Sequence, residues 1–378
     1  MIKFSFTVGF LMFCLLGTSC SEIASDSIGK TDLDTNDITK PTPTLASQSG
    51  NLAFTNLSED SRIIAFGNSP DNLFLSEDNG NSWDKNSTIP SNYHIRTLAR
   101  SAKDKEFILL SYIEDGHSYT SHAFTGLLLS RDNGKSWEEL NHPFNPDDFS
   151  GNFSTFSGLA FDSDNLNIIY AVIEIGFRSV FFKSIDQGKT WNFVDLHLTG
   201  ITGAELFLDP SNSNKLYVGG RGTSMSGGGF VSNDKGDTWS PWVSDSSIKP
   251  TQRIFDIDDS GVLYGHKYEG STTSSKELLV YTSDPANSWE ILYEDDSSFR
   301  LAALDTFHPG VVAILMTKSF TSENIIRYSI NYGVSWTDFK LPFKYPQSLE
   351  ILTFDAERLE ILVSTSSTIW KVPIYYGP

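Results

Sequence analysis

Seven charged residues, spread over four stretches of the sequence, are our candidates for binding a ligand or assisting a reaction. They combine carboxylates with His or Arg, and they are Glu114, His117, Glu174, Arg178, Arg221, His266 and Glu269. Two carboxylates brought together in space can hydrolyse a glycosidic bond, and Arg can hold a substrate carboxylate. No linear motif joins these residues, and Ser/His/Asp, P-loop and dinucleotide-binding signatures are absent. Their arrangement therefore depends on the fold.

An eight-residue pattern recurs along the chain and indicates what that fold is. The stretch 130–137, SRDNGKSW, fits the pattern S-x-D-x-G-x-[ST]-W. Six copies, 47 to 54 residues apart, begin at Ser76, Ser130, Ser184, Ser232, Thr282 and Ser329. A regular period near 50 residues with strands between the copies is typical of a β-propeller.

Each copy supplies what a tight β-hairpin needs. In the second copy, Asp132 can accept turn N–H bonds and Gly134 permits a positive φ. Trp137 follows and carries a large apolar surface to pack against a neighbouring unit. The fifth copy replaces Ser and Gly with Thr282 and Ala286, and the sixth replaces Asp with Asn331.

These copies are similar to Asp-boxes, also called BNR repeats, so the chain resembles the Asp-box propellers over about residues 48–376. That group includes sialidases, sortilin-type receptors, xyloglucan-active glycosidases and photosystem II assembly factors. The resemblance implies that each box is a structural turn on the face opposite the ligand site. It does not specify which activity the chain has.

The strand pattern predicts an all-β fold, a single seven-bladed propeller over residues 42–376. Six boxes account for six blades, and three further strands follow the last box, at Leu349–Phe354, Glu360–Ser364 and Thr368–Val372. We expect the segment 42–46 to add a fourth strand to them and so close the ring.

Strand alternation divides the turns between two faces. The boxes and the short turns after each innermost strand share one face, where the Asp residues at 162, 209 and 258 are expected to form turns. The longer, more variable turns lie at the other end and surround one mouth of the central channel. They contain the seven candidate residues, so we predict that a ligand binds at this mouth.

A non-catalytic function is favoured, namely binding of a protein segment or a glycan by a membrane-tethered extracytoplasmic propeller. The alternative is a glycoside hydrolase or lyase of sialidase-like or xyloglucanase-like type acting on extracellular polysaccharide. The Arg-Ile-Pro element of sialidases has no match, because Arg62-Ile63-Ile64 and Arg253-Ile254-Phe255 both lack the Pro. No catalytic residue is assigned.

The N-terminus predicts export and lipidation. Residues 1–19 are predicted to be a signal peptide, because they contain an apolar run from Phe4 to Leu16. Gly17 to Cys20 resembles a bacterial lipobox, which implies lipidation of Cys20. Residues 20–41, rich in Ser, Thr and Asp, are predicted to be a flexible tether. We expect the protein to be lipid-anchored on the extracytoplasmic side of the bacterial cell envelope, at the outer membrane.

Composition narrows the range of partners. The chain has 47 acidic and 28 basic residues and a formal charge of −19, so nucleic acid is not an expected partner. One of the two cysteines lies in the predicted signal peptide, so one remains in the mature chain. This excludes an internal disulfide and a zinc site built of cysteines. We expect no cofactor, no metal, contact with the membrane only through the lipid, and a monomer.

Overall fold

The computed structural model describes residues 52–375 with the exception of 57–61, 68–72, 79, 115–124, 144–153, 176–177, 200, 223–227, 242–252, 271–274, 286–287, 296–298, 306–309, 319–322, 343–345, 347, 356–357 and 366–368. The regular elements of this part of the chain are 27 β-strands. No helix among these residues is long and apolar enough to cross a membrane. The predicted signal peptide, Cys20, the tether and the 42–46 segment lie outside the described residues.

Four consecutive strands form each of the first three blades. Blade 1 consists of β1 (Leu52–Asn56), β2 (Ile63–Gly67), β3 (Leu73–Ser76) and β4 (Asp84–Lys85). Blade 2 consists of β5 (Tyr93–Arg100), β6 (Ile108–Glu114), β7 (Thr125–Ser130) and β8 (Glu138–Glu139). Blade 3 consists of β9 (Ser154–Phe161), β10 (Ile169–Ile175), β11 (Arg178–Ser184) and β12 (Asn192–Thr199). Within each blade, successive strands pair antiparallel in chain order.

The next three blades repeat this arrangement. Blade 4 consists of β13 (Ile201–Leu208), β14 (Leu216–Gly222), β15 (Gly228–Ser232) and β16 (Ser240–Pro241). Blade 5 consists of β17 (Arg253–Ile257), β18 (Leu263–Gly270), β19 (Ser275–Asp284) and β20 (Ser288–Asp295). Blade 6 consists of β21 (Phe299–Leu304), β22 (Val312–Lys318), β23 (Glu323–Ser329) and β24 (Thr337–Lys340). The last three strands are β25 (Ser348–Asp355), β26 (Arg358–Ser364) and β27 (Ile369–Tyr375).

The structure confirms an all-β propeller and corrects the prediction of seven blades. It has six four-stranded blades, and the last sheet, β25 to β27, has only three strands in the described part of the chain. In the other blades the outer strand follows a box, and among the described residues no box follows β27. The first strands of successive sheets are in contact, and β25 contacts β1, so the three-stranded sheet nevertheless completes the ring.

The boxes are the turns between the third and fourth strands of the blades. In the second box, the Ser130 hydroxyl accepts a bond from the Gly134 N–H at 2.8 Å and donates to Asp132 at 2.8 Å. The Asp132 carboxylate also accepts the Ser136 N–H at 2.8 Å and the Ser136 hydroxyl at 2.6 Å. Asn133 and Gly134 have φ values of 56° and 80°, the pair of positive values that a type I′ hairpin turn requires. The predicted structural role of the box is confirmed.

The two divergent boxes behave differently from each other. In the sixth box, Asn331 replaces the carboxylate, accepting the Ser335 N–H and donating to the Ser335 hydroxyl, both at 2.9 Å. The turn is therefore kept. In the fifth box the strand β19 continues to Asp284, which pairs with Ser288 at the start of β20. The hairpin is therefore longer there than at the other boxes.

The box Trp residues lie between blades, as predicted, but to different depths. Trp83 is buried against Leu362 and Ile369 of the last sheet. Trp137 is only partly buried beside blade 1, where its indole N–H donates to the Thr88 hydroxyl at 2.9 Å. Apolar clusters continue between neighbouring blades around the ring, so each blade is stabilised chiefly by its two neighbours.

The turns after the innermost strands are built on buried Asp residues. Asp162 accepts the N–H groups of Asp164 and Asn165 at 3.0 and 2.9 Å, and the hydroxyl of Tyr170 at 2.8 Å. Asp258 makes the same kind of contacts with the Ser260 N–H and the Tyr264 hydroxyl, both at 3.0 Å. The sequence prediction that these carboxylates form turns is confirmed.

Candidate functional site

Hydrogen bonds between turns define the two ends of the propeller. The Asn133 N–H donates to the Glu106 carbonyl at 2.9 Å, so the second box lies beside the inner turn of its own blade. Gln187 bonds to Asn167 and Lys235 to Asn214 in the same way, each at 2.9 Å. We call this end the box side. The opposite end, where β6, β10, β14 and β18 finish, is the mouth side.

The structure places six of the seven predicted site residues in strands, mostly at strand ends. Glu114 ends β6, Glu174 lies one residue from the end of β10, and Arg178 begins β11. Arg221 lies in the last two residues of β14, and β18 holds His266 and Glu269. His117 lies outside the described residues. The sequence predicts long loops at these positions, whereas the strands of the structure extend further and include them.

These residues follow an arc of four successive blades, and one blade brings two of them close together. Glu174 and Arg178 belong to one hairpin, in which Ile175 pairs with Arg178 and Glu174 pairs with Ser179. Glu114, Arg221 and His266 belong to blades 2, 4 and 5. The strands thus place these charged residues in a row of positions along part of the mouth side.

Glu114 belongs to a fixed group of side chains on blade 2. The Asn92 amide donates to the Glu114 carboxylate at 2.8 Å. Beside them, the rings of Tyr93 and Tyr112 are stacked, with centroids 3.8 Å apart and planes 4° apart. We call these four residues the tyrosine–carboxylate group. The sequence analysis missed both Tyr residues, because strand register rather than sequence proximity brings them together.

Glycine at 126 makes room for this stack. A Cβ at that position would lie 2.3 Å from the Tyr112 ring, so any larger residue would displace the ring. The Tyr112 hydroxyl donates to Glu139 at 2.8 Å. Burial and the Glu139 carboxylate both raise the pKa of Tyr112, so the hydroxyl stays protonated.

Two histidines occupy defined positions. His266 Nε2 lies 3.3 Å from a Glu277 carboxylate oxygen, and both side chains are largely buried. His142 Nε2 lies 3.3 Å from the Thr125 hydroxyl, and its ring centroid is 5.9 Å from that of Phe156. The stretch that follows, 144–153, lies outside the described residues.

The innermost strands share a backbone irregularity. The pairing of the first strand with the second shifts register at Arg96, Ser157, Phe255 and Arg300 in blades 2, 3, 5 and 6. The shift in blade 4 falls between Thr202 and Glu205. Such β-bulges re-aim side chains and are common beside functional sites.

Asp256, directly after the bulge of β17, is a carboxyl group whose pKa is raised by its surroundings. Burial raises its pKa to about 7, and the negative charges of Glu205 and Asp258 act in the same direction. Its side chain is half-buried. Blades 2, 3 and 6 have Ala99, Ala160 and Ala303 at the corresponding position, two residues before the inner turn. The fold does not require a carboxylate there.

The sequence analysis missed Asp256 for an identifiable reason. It lies two residues before Asp258, for which the sequence predicts a role in forming a turn. The only signal in the sequence is an acidic residue at a position where blades 2, 3 and 6 carry Ala and blade 4 carries Phe207. Among the described residues, no three His, Cys, Asp or Glu side chains converge in a way that could hold a metal ion.

Comparison with known proteins shows the fold. No family model matches the chain, and no curated protein matches it. Among solved structures, the GH74 enzyme of Niastella koreensis is 15% identical with a TM-score of 0.61, covering 88% of this chain and 55% of that one. An ancestral GH74 enzyme is 14% identical with a TM-score of 0.58, covering 88% and 46%. YCF48 bound to D1 peptide is 14% identical with a TM-score of 0.56, covering 89% and 96%.

The chain thus has the fold of the Asp-box propellers, as its sequence suggested. It spans about half the length of the two GH74 enzymes and nearly the whole length of YCF48. At this level of identity the likeness concerns the fold alone, because unrelated functions share such scaffolds.

Proposed function

We propose that the protein is a lipid-anchored, extracytoplasmic propeller that binds a protein segment or a glycan at its mouth side without catalysing a reaction. The observation that carries the proposal is the tyrosine–carboxylate group on blade 2. Glu114 is held by Asn92, and the two stacked Tyr rings are held by their fit over Gly126. Tyr93 is partly exposed and its ring lies on that of the buried Tyr112, so one aromatic face next to a fixed acceptor is open to a polar chain with apolar groups.

Side chains that are already fixed favour binding, because they lose little conformational entropy when a ligand binds. The charged row that continues through Glu174 and Arg178 adds groups of both signs along the same side. A segment lying along this arc would meet several blades at once. Recognition of this kind needs no reacting group.

The likeness to YCF48 supports this reading over hydrolysis. That protein, solved with a peptide bound, corresponds to this chain over 96% of its length. The GH74 enzymes contain roughly as much chain again beyond the matched part. The lipid anchor rests on the lipobox-like residues Gly17 to Cys20 and on the tether that follows them.

A glycan and peptide binding screen tests the proposal. Glu114→Gln removes a negative charge while its side-chain oxygen can still accept the Asn92 bond, so the fold is preserved. We expect it to weaken binding about tenfold, which corresponds to losing roughly 1.4 kcal/mol. Glu77→Gln, an equal change at an exposed position on the box side, should leave affinity unchanged. Equal losses in both variants would refute the placement.

Glycoside hydrolysis is the second candidate, and Asp256 is the observation that favours it. A carboxyl group with a pKa near 7 next to a second carboxylate, Glu205, resembles the acid and base pair of such enzymes. Sialosides, β-glucans and xyloglucan are the substrates to assay. Turnover by the wild type that Asp256→Asn abolishes, with folding unchanged, would replace the binding proposal.

A further inference from the structure

An arginine bridges two neighbouring blades on the box side of the propeller. Arg131 is the second residue of the second box, and its guanidinium donates to the Glu138 carboxylate of the same hairpin. It also donates to the side chain of Gln187 in the third box at 3.0 Å. The junction of blades 2 and 3 thus shows how this fold holds a guanidinium between two boxes, with a carboxylate on one side and an amide on the other.

Both corresponding positions at the junction of blades 1 and 2 are acidic. Glu77 is the second residue of the first box, where the second box has Arg131. Asp84 follows the box Trp, as Glu138 does in the second hairpin. Asp84 pairs with Leu75, which packs against the apolar cluster between blades 1 and 2, so the Asp84 side chain is directed toward blade 2. Two carboxylates therefore replace the ion pair.

An open groove with a volume of about 220 Å³ lies at this junction. Glu77, Asp84 and Lys135 line it together with Leu75, and no Arg is among the described residues around it. Glu77 and Asp84 are exposed, and within the part of the chain that the structure describes neither side chain forms a hydrogen bond or an ion pair. Both carboxylates can therefore bind a donor that enters the groove from solvent.

The second box forms the other wall of the groove. Asn133 has the position that Gln187 has in the third box, but its side chain is buried and accepts a hydrogen bond from Arg100 at 3.1 Å. Lys135 lies on the same wall, and Lys189 has the equivalent position in the third box. A lysine at this position therefore does not prevent a guanidinium from lying at the junction.

Two neighbouring carboxylates favour arginine over other cationic groups. A guanidinium is planar and has five N–H donors, so it can bond to both carboxylates at once, whereas the ammonium group of Lys is a compact and more strongly hydrated point charge. A single exposed ion pair contributes little, so the two carboxylates must act together. The formal charge of −19 also attracts a cationic partner from a distance.

We propose that the groove at the junction of blades 1 and 2 binds an arginine side chain of a partner protein, in the place that Arg131 takes at the next junction. The guanidinium bonds to Glu77 and Asp84, and the aliphatic part of the arginine packs on Leu75. This groove lies on the box side, so the proposal does not depend on the function proposed for the mouth side.

The probe is the tripeptide Gly-Arg-Gly with both ends blocked, added to the full chain and followed by ligand-detected NMR, which measures weak binding. We expect binding that weakens as salt increases. The matched peptide with Lys should bind about fivefold more weakly, and the peptide with citrulline, the neutral analogue of arginine, should not bind. No binding of the arginine peptide, or equal binding of the Lys or citrulline peptide, would overturn the proposal.

Glu77→Arg tests the location, because it gives the first box the arginine that the second box has. The new side chain should bond to Asp84 as Arg131 bonds to Glu138, so the variant should fold and its groove should be occupied. We expect it to abolish binding of the arginine peptide. Glu77→Gln removes one carboxylate charge and should weaken binding about fivefold.

Two further variants serve as controls. Ile185→Arg puts an arginine at the same position of the third box, where the side chain is exposed, and should leave binding of the arginine peptide unchanged. Glu114→Gln on the mouth side should also leave it unchanged. Loss of binding in Glu114→Gln would place the peptide at the mouth side, and unchanged binding in Glu77→Arg would exclude the groove. Either result would refute the proposal.

Discussion

Lys371, in the last strand of the protein, donates a hydrogen bond to the side chain of Asn81 in the first box at 3.0 Å. The same ammonium group lies 2.6 Å from Glu360, and Lys371 and Glu360 are only 8% and 3% exposed. Beside them, Trp83 packs on Leu362 and Ile369. These side chains join the first blade to the three-stranded sheet and so close the ring.

Lys371→Met should destabilise the protein strongly, because it leaves the Glu360 carboxylate buried without its partner. We expect a loss of about 3–5 kcal/mol in the free energy of unfolding, measured by denaturant titration. Adding Glu360→Leu should recover much of that loss, since the double variant buries no charge. A single variant as stable as the wild type would show that the pair does not secure the ring.

The variants Asp132→Ala and Asp132→Asn should differ in how much they destabilise the protein. The alanine variant leaves turn donors without an acceptor and should cost about 1–3 kcal/mol. The asparagine variant should cost much less, because Asn331 already forms the equivalent turn in the sixth box. Thermal unfolding of the two variants measures this, and equal losses would contradict it.

Low pH should also reduce the stability that the second box contributes to the fold. The hydrogen bond from the Ser136 hydroxyl lowers the pKa of Asp132 to about 2. A carboxylate with a lowered pKa stabilises the fold above its unfolded pKa of about 4, and this contribution is lost as the pH falls toward 2. In the asparagine variant that part of the acid sensitivity should disappear. The difference in melting temperature between the two proteins, followed from pH 5 to pH 2, checks the sign.

Asp256→Asn should stabilise the protein at alkaline pH. Because burial raises the pKa of Asp256 to about 7, the unfolded chain loses this proton near pH 4 and the folded protein loses it near pH 7. Stability contributed by this group therefore falls between about pH 4 and pH 7 and stays low above. The variant should lack this fall and be more stable at pH 8, on the order of a few kcal/mol. Parallel stability curves for the two proteins over this range would refute the assignment.

Replacing two box tryptophans that are buried to different extents should reduce the stability of the protein by different amounts. Trp83→Ala removes a buried side chain at the ring closure and should cost about 3–5 kcal/mol. Trp137→Ala should cost roughly half as much, because that indole is only partly buried and its N–H bonds to Thr88 at the surface. A larger loss for Trp137 than for Trp83 would show that the ring closure contributes less than the burial suggests.

Cys20→Ala should release the protein from the membrane. The variant is expected in the soluble fraction of the envelope, whereas the wild type should carry a lipid mass and sediment with membranes. Globomycin, which blocks lipoprotein signal cleavage, provides a chemical control. A wild type without lipid would remove the basis of the proposed anchor.

The boxes could be read from the sequence because each is a local turn, in which Ser130, Asp132 and Gly134 bond within eight residues. The incomplete last sheet could not be predicted from the sequence, because its expected fourth strand depended on pairing between the two ends of the chain. The stack of Tyr93 on Tyr112 depends on the pairing of β5 with β6. The raised pKa of Asp256 could not be predicted from the sequence, because it results from burial in the folded protein.

The order of contacts around the ring has a consequence for how the chain folds. Each blade packs on the blades before and after it in sequence, so structure can grow from one repeat to the next with short loop closures. The contact of Lys371 with Asn81 spans 290 positions and cannot form until the last strand is available. We therefore expect ring closure to be the slow final step of folding, with the apolar face around Trp83 exposed until then.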